Sequence, residues 1–400
     1  MRLEKSDPIT ELLTRGVDKV LVRDRLESKL CGFTHTKTPL RVKLGIDPTS
    51  INIHVGRAVP LMKLRDFQEL GHMVLLIFGD FTGVIGDASD KTTERPMLEQ
   101  NTVNKNAEQY LAQCARILDI KKTEVYYNSS WLNTLSYHEV ASQANVFSLA
   151  EFISRENVRA RLDAGKRVSV RELLYPLMQG YDSVYTKADV ELGGRDQWFN
   201  LLAGRTLQEY YQQEPQDILT TNLIMGTDGR KMSSSWGNTI NILDEPSDMY
   251  GKVMSITDES IIPYFIHITR VPLEDVQDME AQLREKSVNP RDVKMKLALE
   301  ITQLFWGVGK AQEAEKHFIT QFQKKEIPDD AAVIQTTQGE ELIELLVRSK
   351  LAASNTAARR LLRQGAVVFD EEKITDPRST IEKSGVLRVG KKQMARVEVE

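Results

Sequence analysis

The chain has 400 residues, of which 41% are hydrophobic, and its 53 Lys and Arg residues stand against 57 Asp and Glu, a formal net charge of −4. This length permits two or three domains, each with its own core, and the slightly acidic balance excludes a protein that is basic throughout. The two cysteines, Cys31 and Cys114, exclude a disulfide framework and a cysteine zinc site, so we expect a reduced, cytoplasmic setting.

The N-terminal part of the chain predicts a helix followed by a strand–helix–strand unit. Residues 1–7 are charged and lack the apolar core of a secretory signal. Residues 8–31 are predicted as one amphipathic helix. Apolar residues alternate from 40 to 46, which predicts a strand, and Pro48 ends it. A helix is predicted from His54 onward, and the apolar run at 73–78 predicts a buried parallel strand, too short to span a bilayer.

The junction between the first of these strands and the helix that follows it is the segment that most clearly indicates a function. It contains His54, Gly56 and Arg57. A helix start presents free N–H groups and a positive dipole end, which suit a phosphate, and a glycine lets the backbone approach a ligand closely. In parallel sheets, ligands bind beyond the carboxyl ends of the strands, where this segment lies. The sequence therefore predicts a nucleotide site there.

The strand–helix alternation continues, interrupted by a long loop. This loop, residues 81–95, is rich in Gly, Ser and Thr and carries Lys91 and Arg95, and long loops in compact domains are often functional. Tyr175, Gln179 and Asp182 share one face of a predicted helix, a polar face that suits a polar ligand. The remaining predictions are a helix at 103–118, a strand at 125–127, helices within 137–164, a strand at 188–192 with a Gly-rich turn at 193–197, a helix at 198–210 and a strand at 218–225.

The second half of the chain changes character. A polar loop at 226–238 has Lys231 at its centre, and residues 246–325 predict helices with little strand signal. Residues 324–338 have the composition of a linker. The tail from 340 predicts short helices and then strands at 366–369, 386–389 and 395–399. Between 345 and 400 there are 12 Lys and Arg against 7 Asp and Glu, and three arginines cluster on one helix, as expected of a phosphate-backbone binder.

Two of these segments resemble a known pair of signatures. His54-Val55-Gly56-Arg57 resembles the "HIGH" signature of class I aminoacyl-tRNA synthetases, and Lys231-Met232-Ser233-Ser234-Ser235 resembles their "KMSKS" loop. With the loop around Gly86-Asp87, the Tyr175/Gln179/Asp182 face and the turn at 194–198, the chain resembles bacterial tyrosyl-tRNA synthetases of a subgroup with a "VKLG"-like first strand. The resemblance runs over essentially the whole chain.

The resemblance implies a fold and a division into domains. The expected class is α/β, with a Rossmann-like parallel-sheet catalytic domain, an all-α domain and a small α+β RNA-binding domain. The implied bounds are 1–235 for the catalytic domain with its connecting insertion, 236–325 for a helical anticodon-binding domain, 326–339 for a linker and 340–400 for a ribosomal-protein-like RNA-binding domain.

The resemblance also implies the reaction and its participants. The carboxylate of tyrosine attacks the α-phosphorus of ATP, which gives tyrosyl-adenylate and pyrophosphate, and the terminal ribose of tRNA(Tyr) then takes the tyrosyl group. ATP is expected as a substrate with Mg²⁺, without zinc or a tightly bound cofactor. The expected partners are tRNA(Tyr), tyrosine, ATP and a second copy of the chain in a homodimer, with no membrane.

Each matching position carries over a role. Donors to the phosphates are expected at His54, Arg57, Lys91, Arg95 and Lys231. The ATP site is expected to include Gly45, Asp47, Pro48, Thr49, Gly56, Gly194, Asp196, Met232 and Ser234. The tyrosine site is expected to include Asp87, Tyr175, Gln179 and Gln197, with Asp182 accepting from the phenol. Contacts to tRNA are expected from Arg359, Arg360 and Arg363, and no residue is expected to hold a metal.

Three residues depart from the family pattern. Lys43 stands where many members have a tyrosine that also bonds the substrate hydroxyl, and it is expected to be structural or to lie at the entrance. Arg57 stands where histidine is usual, which retains a cationic donor but changes its reach. Ser234 stands where a lysine is frequent, so one cation is missing near the phosphates.

Three alternatives stay open from the sequence. The first is a tryptophanyl-tRNA synthetase, which shares the fold, although a carboxylate at Asp182 suits a phenol hydroxyl. The second is a nucleotidyltransferase that makes a small activated metabolite, against which the two extra domains and the basic tail argue. The third is a non-catalytic RNA-binding relative, against which the nearly complete set of phosphate donors argues.

Overall fold

A computed structural model describes residues 7–87, 97–323, 332–370, 372–390 and 393–399. The chain divides into two compact units, Met1–Ala311 and Gln312–Glu400. None of the described helices is long and apolar enough to cross a membrane.

A six-stranded sheet forms the centre of the first unit. Its strands are β1 (Val17–Leu21), β2 (Arg41–Ile46), β3 (Met73–Phe78), β4 (Thr123–Tyr127), β5 (Val190–Gly194) and β6 (Asp217–Thr221). The order across the sheet is β1-β6-β5-β2-β3-β4, and all neighbours are parallel except β1, which runs antiparallel to β6. This confirms the predicted α/β class with a Rossmann-like parallel sheet.

Helices connect and cover these strands, as parallel strands require. They are α1 (Pro8–Thr14), α2 (Arg23–Thr36), α3 (Val55–Glu69), α4 (Thr82–Ile85), α5 (Gln100–Cys114), α6 (Ser129–Leu132), α7 (Tyr137–Ala144), α8 (Leu149–Ile153), α9 (Glu156–Asp163), α10 (Val170–Thr186) and α11 (Trp198–Tyr210). Short 3₁₀ turns lie at Ile120–Lys122, Arg195–Gln197, Ser234–Trp236 and Asp258–Ser260.

The prediction of one helix over residues 8–31 is wrong. Gly16 adopts φ +66°, a left-handed conformation that ends the helical path after α1. Two β-branched valines then lie in β1, which pairs with β6 at the edge of the sheet, and helix resumes only at α2. Sheet pairing over a large sequence separation therefore overrides the helical spacing of the apolar residues.

The sheet contains one position where the connections change direction. From β2 the chain proceeds outward to β3 and β4, whereas β5 and then β6 lie on the other side of β2. Ligands of such sheets bind at this switch point, beyond the carboxyl ends of the two strands that flank it. Here those strands are β2 and β5, and the predicted nucleotide turn follows directly after β2.

The first unit ends in helices, as the sequence predicts for residues 246–325. They are α12 (Pro246–Met254), α13 (Ile261–Ile268), α14 (Leu273–Arg284) and α15 (Pro290–Trp306); α16 (Val308–Phe318) crosses the division between the units and continues as a π-helical turn at Ile319–Gln323. Arg15 binds this region to the sheet domain, since its buried guanidinium donates to the carbonyl oxygens of Phe265, Thr269 and Val271.

The second unit is a small α+β fold. It contains β7 (Ala332–Thr336), β8 (Glu340–Glu341), α17 (Leu342–Arg348), α18 (Asn355–Arg363), β9 (Val367–Phe369), β10 (Glu372–Ile374), β11 (Thr380–Ile381), β12 (Gly385–Val389) and β13 (Gln393–Val399). Five strands form one sheet in the order β10-β9-β12-β13-β7, and β11 pairs with β8.

One strand of this unit lies where the sequence predicts a linker. The predicted linker covers 326–339, but residues 332–336 form β7, which pairs in parallel with β13. Ile334 and Thr336 are buried in this strand while its other residues are exposed. The short alternation with a threonine on the buried side gives a weak strand signal, and the pairing partner is more than fifty residues away in the chain. Over these residues the structure differs from the predicted linker.

Candidate active site

A cavity of about 930 Å³ opens at the carboxyl ends of β2 and β5, at the switch point of the sheet. It is lined by most of the residues that the sequence predicts for the nucleotide and amino-acid sites. These are Gly45, Asp47, Thr49, His54, Gly56, Arg57, Asp87, Tyr175, Gln179, Asp182, Gly194, Asp196, Gln197, Lys231, Met232 and Ser234. Two signatures that lie far apart in the sequence are thus brought together on one cavity.

His54 begins α3 and is nearly buried. Its backbone is extended, and its Nδ1 accepts the backbone N–H of Arg57 at 3.3 Å. Burial, followed by the positive charges of Arg57 and Lys231, lowers the pKa of His54 to about 3. The ring is therefore neutral near pH 7, and because Nδ1 accepts, its proton lies on Nε2. His54 thus supplies an uncharged N–H donor.

Arg57, one turn into the same helix, is held by hydroxyl groups. Its guanidinium donates to the Tyr110 hydroxyl at 2.6 Å, to Thr49 Oγ1 at 3.1 Å and to Ser50 Oγ at 3.4 Å. Within the described residues, no carboxylate forms an ion pair with this guanidinium. Neutral acceptors fix its position without cancelling its charge, so the charge is available to an anionic ligand.

Gly56 lies between two side chains, one from each signature. A Cβ there would lie 3.0 Å from His54 Nδ1 and 3.5 Å from Met232 Sδ. Met232 belongs to the second signature and is 5% exposed. A side chain at position 56 would therefore press on the His54 ring where the first signature approaches the second.

Lys231 lies across the cavity in the loop between β6 and α12. Its Nζ is 3.1 Å from Asp196 Oδ2, and its side chain is 38% exposed. Asp196 lies on the 3₁₀ turn that follows β5. Lys231 is predicted as a donor to the phosphates and Asp196 as part of the ATP site, and their side chains pair with each other.

A buried asparagine, Asn238, holds the shape of the Lys231 loop. Its amide group donates to Asp228 Oδ1 at 2.7 Å and to the carbonyl oxygen of Lys231 at 3.2 Å, while its Oδ1 accepts the backbone N–H of Ser233 at 2.9 Å. Gly226 faces this side chain, and a Cβ there would lie 2.5 Å from the amide nitrogen. The backbone on either side of Lys231 is therefore tied to one side chain.

The other end of the cavity is lined by side chains of α10. This helix begins with a capping box, in which Ser169 and Glu172 each bond the other's backbone N–H. Tyr175 is buried and donates its hydroxyl to Asp47 Oδ2 at 2.9 Å. Burial, then the charges of Asp47 and Asp87, raises the pKa of Tyr175 well above its ordinary value, so the phenol remains a donor.

Asp47 and Asp87 are both oriented by neighbouring polar groups. Asp47 Oδ1 accepts the hydroxyl of Thr82 at 2.7 Å, and Asp87 Oδ2 accepts the amide of Gln197 at 2.7 Å. Gly79 leaves space for the first of these contacts, because a Cβ at this position would lie 2.0 Å from Asp47 Oδ1. The predicted carboxylates therefore lie in fixed positions around the cavity.

Asp182 is the most deeply buried of the predicted ligands that reach the cavity. One carboxylate oxygen accepts the indole N–H of Trp131 at 2.8 Å and the other accepts the amide of Asn128 at 3.3 Å. Burial raises its pKa to about 7, opposed by the charge of Lys43 and by these two hydrogen bonds. A carboxylate in this setting gains from an additional O–H donor, which is the chemistry expected for a bound phenol.

Lys43 does not reach the cavity. Its side chain is fully buried in β2, and Nζ lies 2.9 Å from Oε1 of Glu191, its register partner in β5. It also donates to Ser183 Oγ at 2.6 Å. Of the two alternatives expected for Lys43, structural or at the entrance, the structure supports the first, because a lysine buried in a central strand needs a carboxylate beside it.

Some predicted residues lie elsewhere. Lys91 and Arg95 fall outside the described residues. Pro48 is absent from the cavity wall, since it turns the chain after β2 while its carbonyl oxygen accepts the amide of Asn106 at 2.9 Å. The arginines predicted for tRNA lie on α18 of the second unit, where their side chains are exposed; they are Arg359, Arg360 and Arg363.

Sequence reasoning missed four residues that shape the site: Asn128, Trp131, Glu191 and Asn238. Asn128 follows β4 directly, at the ligand edge of the sheet, so its position alone could have marked it. Glu191 is a charged residue within an otherwise apolar strand, which also could have been noticed. Trp131 and Asn238 carry no such signal, because only the folded chain brings them to their partners.

The described residues contain no group of three or more His, Cys, Asp or Glu side chains arranged to hold a metal ion. Both cysteines are free thiols, Cys31 exposed and Cys114 buried.

Comparison with protein families gives two matches that together cover most of the chain. The model of class I tRNA synthetases (W and Y) matches residues 35–323. The model of the tyrosine--tRNA ligase SYY-like C-terminal domain matches residues 319–396.

Individual relatives match over nearly their full length. The tyrosine--tRNA ligase of Thermotoga maritima is 46% identical over 390 residues, which are 97% of this chain and 96% of that protein. The tyrosine--tRNA ligase of Moorella thermoacetica is 44% identical over 390 residues, 96% of this chain and 94% of that protein.

Among solved structures, the tyrosyl-tRNA synthetase of Archaeoglobus fulgidus in complex with L-tyrosine is 21% identical with a TM-score of 0.61, over 77% of this chain and 100% of that one. A C-terminally truncated mitochondrial tyrosyl-tRNA synthetase of Aspergillus nidulans is 21% identical with a TM-score of 0.65, over 80% and 95%. These two comparisons bear on the fold.

Proposed function

Since this chain belongs to the class I tRNA synthetases that comprise the tryptophan and tyrosine enzymes, we propose that it is a tyrosine--tRNA ligase whose active site is the cavity at the ends of β2 and β5. It activates tyrosine with ATP and then transfers the tyrosyl group to tRNA(Tyr). The observation that carries the assignment of the site is the meeting of both signatures and a buried carboxylate, Asp182, on this one cavity.

The first step forms a bond between a carboxylate oxygen of tyrosine and the α-phosphorus of ATP, and the bond to pyrophosphate breaks. Negative charge grows on the leaving pyrophosphate, so catalysis consists of positioning the reactants and stabilising that charge. His54, Arg57 and Lys231 supply donors at this end of the cavity. Lys91 and Arg95 are proposed to add two cations from their loop. Mg²⁺ would enter with the phosphates of ATP, since it is commonly held by substrate phosphates and one or two carboxylates.

The adenosine of ATP is proposed to lie along the end of β2 and the turn after β5. Gly45, Gly194 and Asp196 line this part of the cavity, with Thr49 and Ser234 towards the phosphates. Tyrosine occupies the α10 side, where Asp182 accepts its phenol hydroxyl. Asp87, Tyr175 and Gln179 face its ammonium group, with Gln197 supporting Asp87.

The second step uses the rest of the chain. We propose that residues 236–325 recognise the anticodon and that the tail from 340 binds the tRNA backbone through Arg359, Arg360 and Arg363. These arginines are exposed on α18, whose start is fixed by Ser354. Three phosphate contacts of about 1 kcal/mol each would amount to roughly a hundredfold in affinity.

The chain is further proposed to act as a cytoplasmic homodimer. Large apolar side chains are exposed on three helices of the first unit: Tyr137 on α7 is 92% exposed, Leu149 on α8 is 61% and Val170 on α10 is 71%. We propose that these side chains contribute to the interface. Sedimentation equilibrium of the full chain should give twice the mass of 45.4 kDa, and a monomer at micromolar concentration would oppose this proposal.

Pyrophosphate exchange with each amino acid in turn tests the assignment of the substrate. Exchange driven by tyrosine and not by tryptophan is expected. Exchange with tryptophan alone would instead support the related synthetase, and no exchange with any amino acid would support a non-catalytic relative.

The role of the tail is tested by replacing all three α18 arginines with alanine. The kcat/KM for tRNA should fall by roughly a hundredfold, and its dependence on salt should become shallower because fewer counterions are released. Adenylate formation should stay unchanged. The control is Arg348→Ala on the same unit, whose guanidinium already pairs with Glu340 at 2.8 Å; an equal loss in the control would argue against a specific role of α18.

A further inference from the structure

A buried ion pair lies directly beneath the amino-acid end of the cavity, on the two strands that flank the switch point. Lys43 of β2 and Glu191 of β5 are register partners, with side chains 0% and 1% exposed and Nζ 2.9 Å from Oε1. Burying both charges is costly unless each finds further hydrogen bonds. The identity of those further partners indicates what the pair does.

Two residues of α10, Ser183 and Gln179, supply most of these partners. Lys43 Nζ donates to Ser183 Oγ at 2.6 Å and to the backbone oxygen of Gln179 at 3.2 Å. Glu191 accepts from Ser183 Oγ at 3.2 Å, from the amide of Gln216 and, on Oε1, from Nε2 of Gln179 at 3.2 Å. Both the main chain and the side chain of Gln179 are thus bonded to the pair.

The bond to Glu191 decides which way the amide of Gln179 faces. An ionised carboxylate only accepts hydrogen bonds, so the amide nitrogen of Gln179 must be the atom turned towards it. Gln179 lines the cavity, and its Oε1 is the atom left for a ligand. A ligand ammonium has three donors and no acceptor, so it requires this orientation and is repelled by the opposite one.

We propose that Lys43 and Glu191 act as positioning residues of the amino-acid site, holding the Gln179 amide with its oxygen towards the ammonium group of the substrate. This inference rests on the proposed function, because it takes the ligand to be tyrosine. Glu191 turns the amide, and Lys43 pairs with Glu191 and holds the backbone of α10 at Gln179. Neither residue touches the substrate.

The test separates the ammonium group from the rest of the ligand. Tyramine carries the phenol and the ammonium, whereas 3-(4-hydroxyphenyl)propionate carries the phenol and the carboxylate. Dissociation constants of both are measured for the full chain and for the double variant Lys43→Met/Glu191→Met, which buries no charge and removes the acceptor. Circular dichroism establishes that each variant is folded.

In this variant we expect tyramine to bind roughly 10- to 100-fold more weakly, the effect of losing a hydrogen bond to a charged group. Binding of 3-(4-hydroxyphenyl)propionate should weaken far less than that of tyramine, because it does not depend on the ammonium contact. Both are measured at pH 8, above the pKa of about 7 of Asp182, so that loss of the Lys43 charge has the least effect on the carboxylate that accepts the phenol. A second variant, Lys43→Met/Glu191→Gln, returns an amide oxygen as acceptor and should regain part of the tyramine affinity. If one of the two variants fails to fold, the ratio of the two dissociation constants in the other variant is sufficient for the test.

A second ion pair of the same unit, away from α10, provides the control. Lys63 and Asp66 of α3 have side chains 4% and 18% exposed, lie 3.2 Å apart and are not part of the cavity wall. Replacing both with methionine should leave the ratio of the two dissociation constants unchanged. Equal weakening of both analogues by the Lys43/Glu191 variants, or unchanged tyramine binding in a folded variant, would overturn the proposal. Failure of the proposed function is seen separately, as absence of tyrosine-dependent exchange in the unmodified chain.

Discussion

The two ends of the cavity are built differently. At the α10 end, Asp182 is 4% exposed and bonded to the buried Trp131, and Tyr175 is 7% exposed and bonded to the half-buried Asp47. At the other end, Lys231 is 38% exposed and lies on a loop. A rigid, buried set of groups suits the recognition of a small fixed ligand. Cations on less constrained elements suit charge that develops during the reaction, because contacts that strengthen only in the transition state raise the rate.

The largest expected effect comes from the loop end. Lys231→Ala removes one donor to the phosphates, so the single-turnover rate of adenylate formation should fall roughly 100- to 1,000-fold. Because Lys231 is proposed to contact the phosphates and not tyrosine, the dissociation constant of tyrosine should stay within about twofold. Rapid-quench measurement of tyrosyl-adenylate, with tyrosine binding measured separately, gives both quantities.

Lys252→Ala is the control for this prediction. Lys252 also lies in an ion pair, 2.7 Å from both Asp244 and Asp248, but it is not part of the cavity wall. Its removal should leave the rate of adenylate formation unchanged. If Lys231→Ala left the rate intact, or weakened tyrosine binding as much as it slowed the reaction, the division between the two ends would be wrong.

Most of the fold was predictable because the local patterns were strong. The apolar run of β3 and the alternation in β2 gave the correct strands, and the helices after residue 246 were also predicted. Two of the differences, at β1 and β7, have one cause. Both strands lie at the edge of a sheet and form by pairing with a strand that is distant in the sequence, β6 or β13. The local sequence pattern does not indicate such a partner.

In the candidate site, too, local patterns were predictable and contacts between distant residues were not. Residues within the two signatures, such as His54 and Lys231, were predicted because each signature is contiguous. The charge state of His54 was not predicted. The sequence shows a histidine close to an arginine but does not indicate that burial lowers the pKa of the histidine and keeps it neutral. Trp131 and Asn238 could not have been found, because their importance arises from partners that only folding brings to them, Asp182 and the backbone at Lys231.

The buried end predicts a dependence on pH. Burial raises the pKa of Asp182 to about 7, so below that pH the carboxyl is increasingly protonated and accepts the substrate phenol less well. The dissociation constant of tyrosine should rise tenfold for each pH unit below about 7. Because the folded-state pKa lies above the ordinary value of 3.8, the contribution of Asp182 to the free energy of unfolding falls as pH rises from about 4 through about 7.

Tyrosine binding measured between pH 5 and pH 8 tests this prediction, with Asp182→Asn as the comparison. The variant should bind more weakly at pH 8 and show no inflection near pH 7, since the amide does not titrate. His54, with its pKa lowered to about 3, contributes no step in this range. An inflection that persists in Asp182→Asn would assign the titration to another group. It would contradict the proposal that the Asp182 carboxylate accepts the phenol hydroxyl of tyrosine.

The smallest expected effect concerns the support of the loop. Asn238→Ala removes the three hydrogen bonds that fix the backbone around Lys231, so Lys231 would be held less accurately. A loss of about 1.4 kcal/mol corresponds to a tenfold slower formation of adenylate, and tyrosine binding should be unaffected. Asn289→Ala, which removes a helix cap at the start of α15, should reduce stability without slowing the reaction. If Asn238→Ala instead slowed the reaction as much as Lys231→Ala, the loop end would be as constrained as the α10 end, and the contrast between them would lie in burial alone.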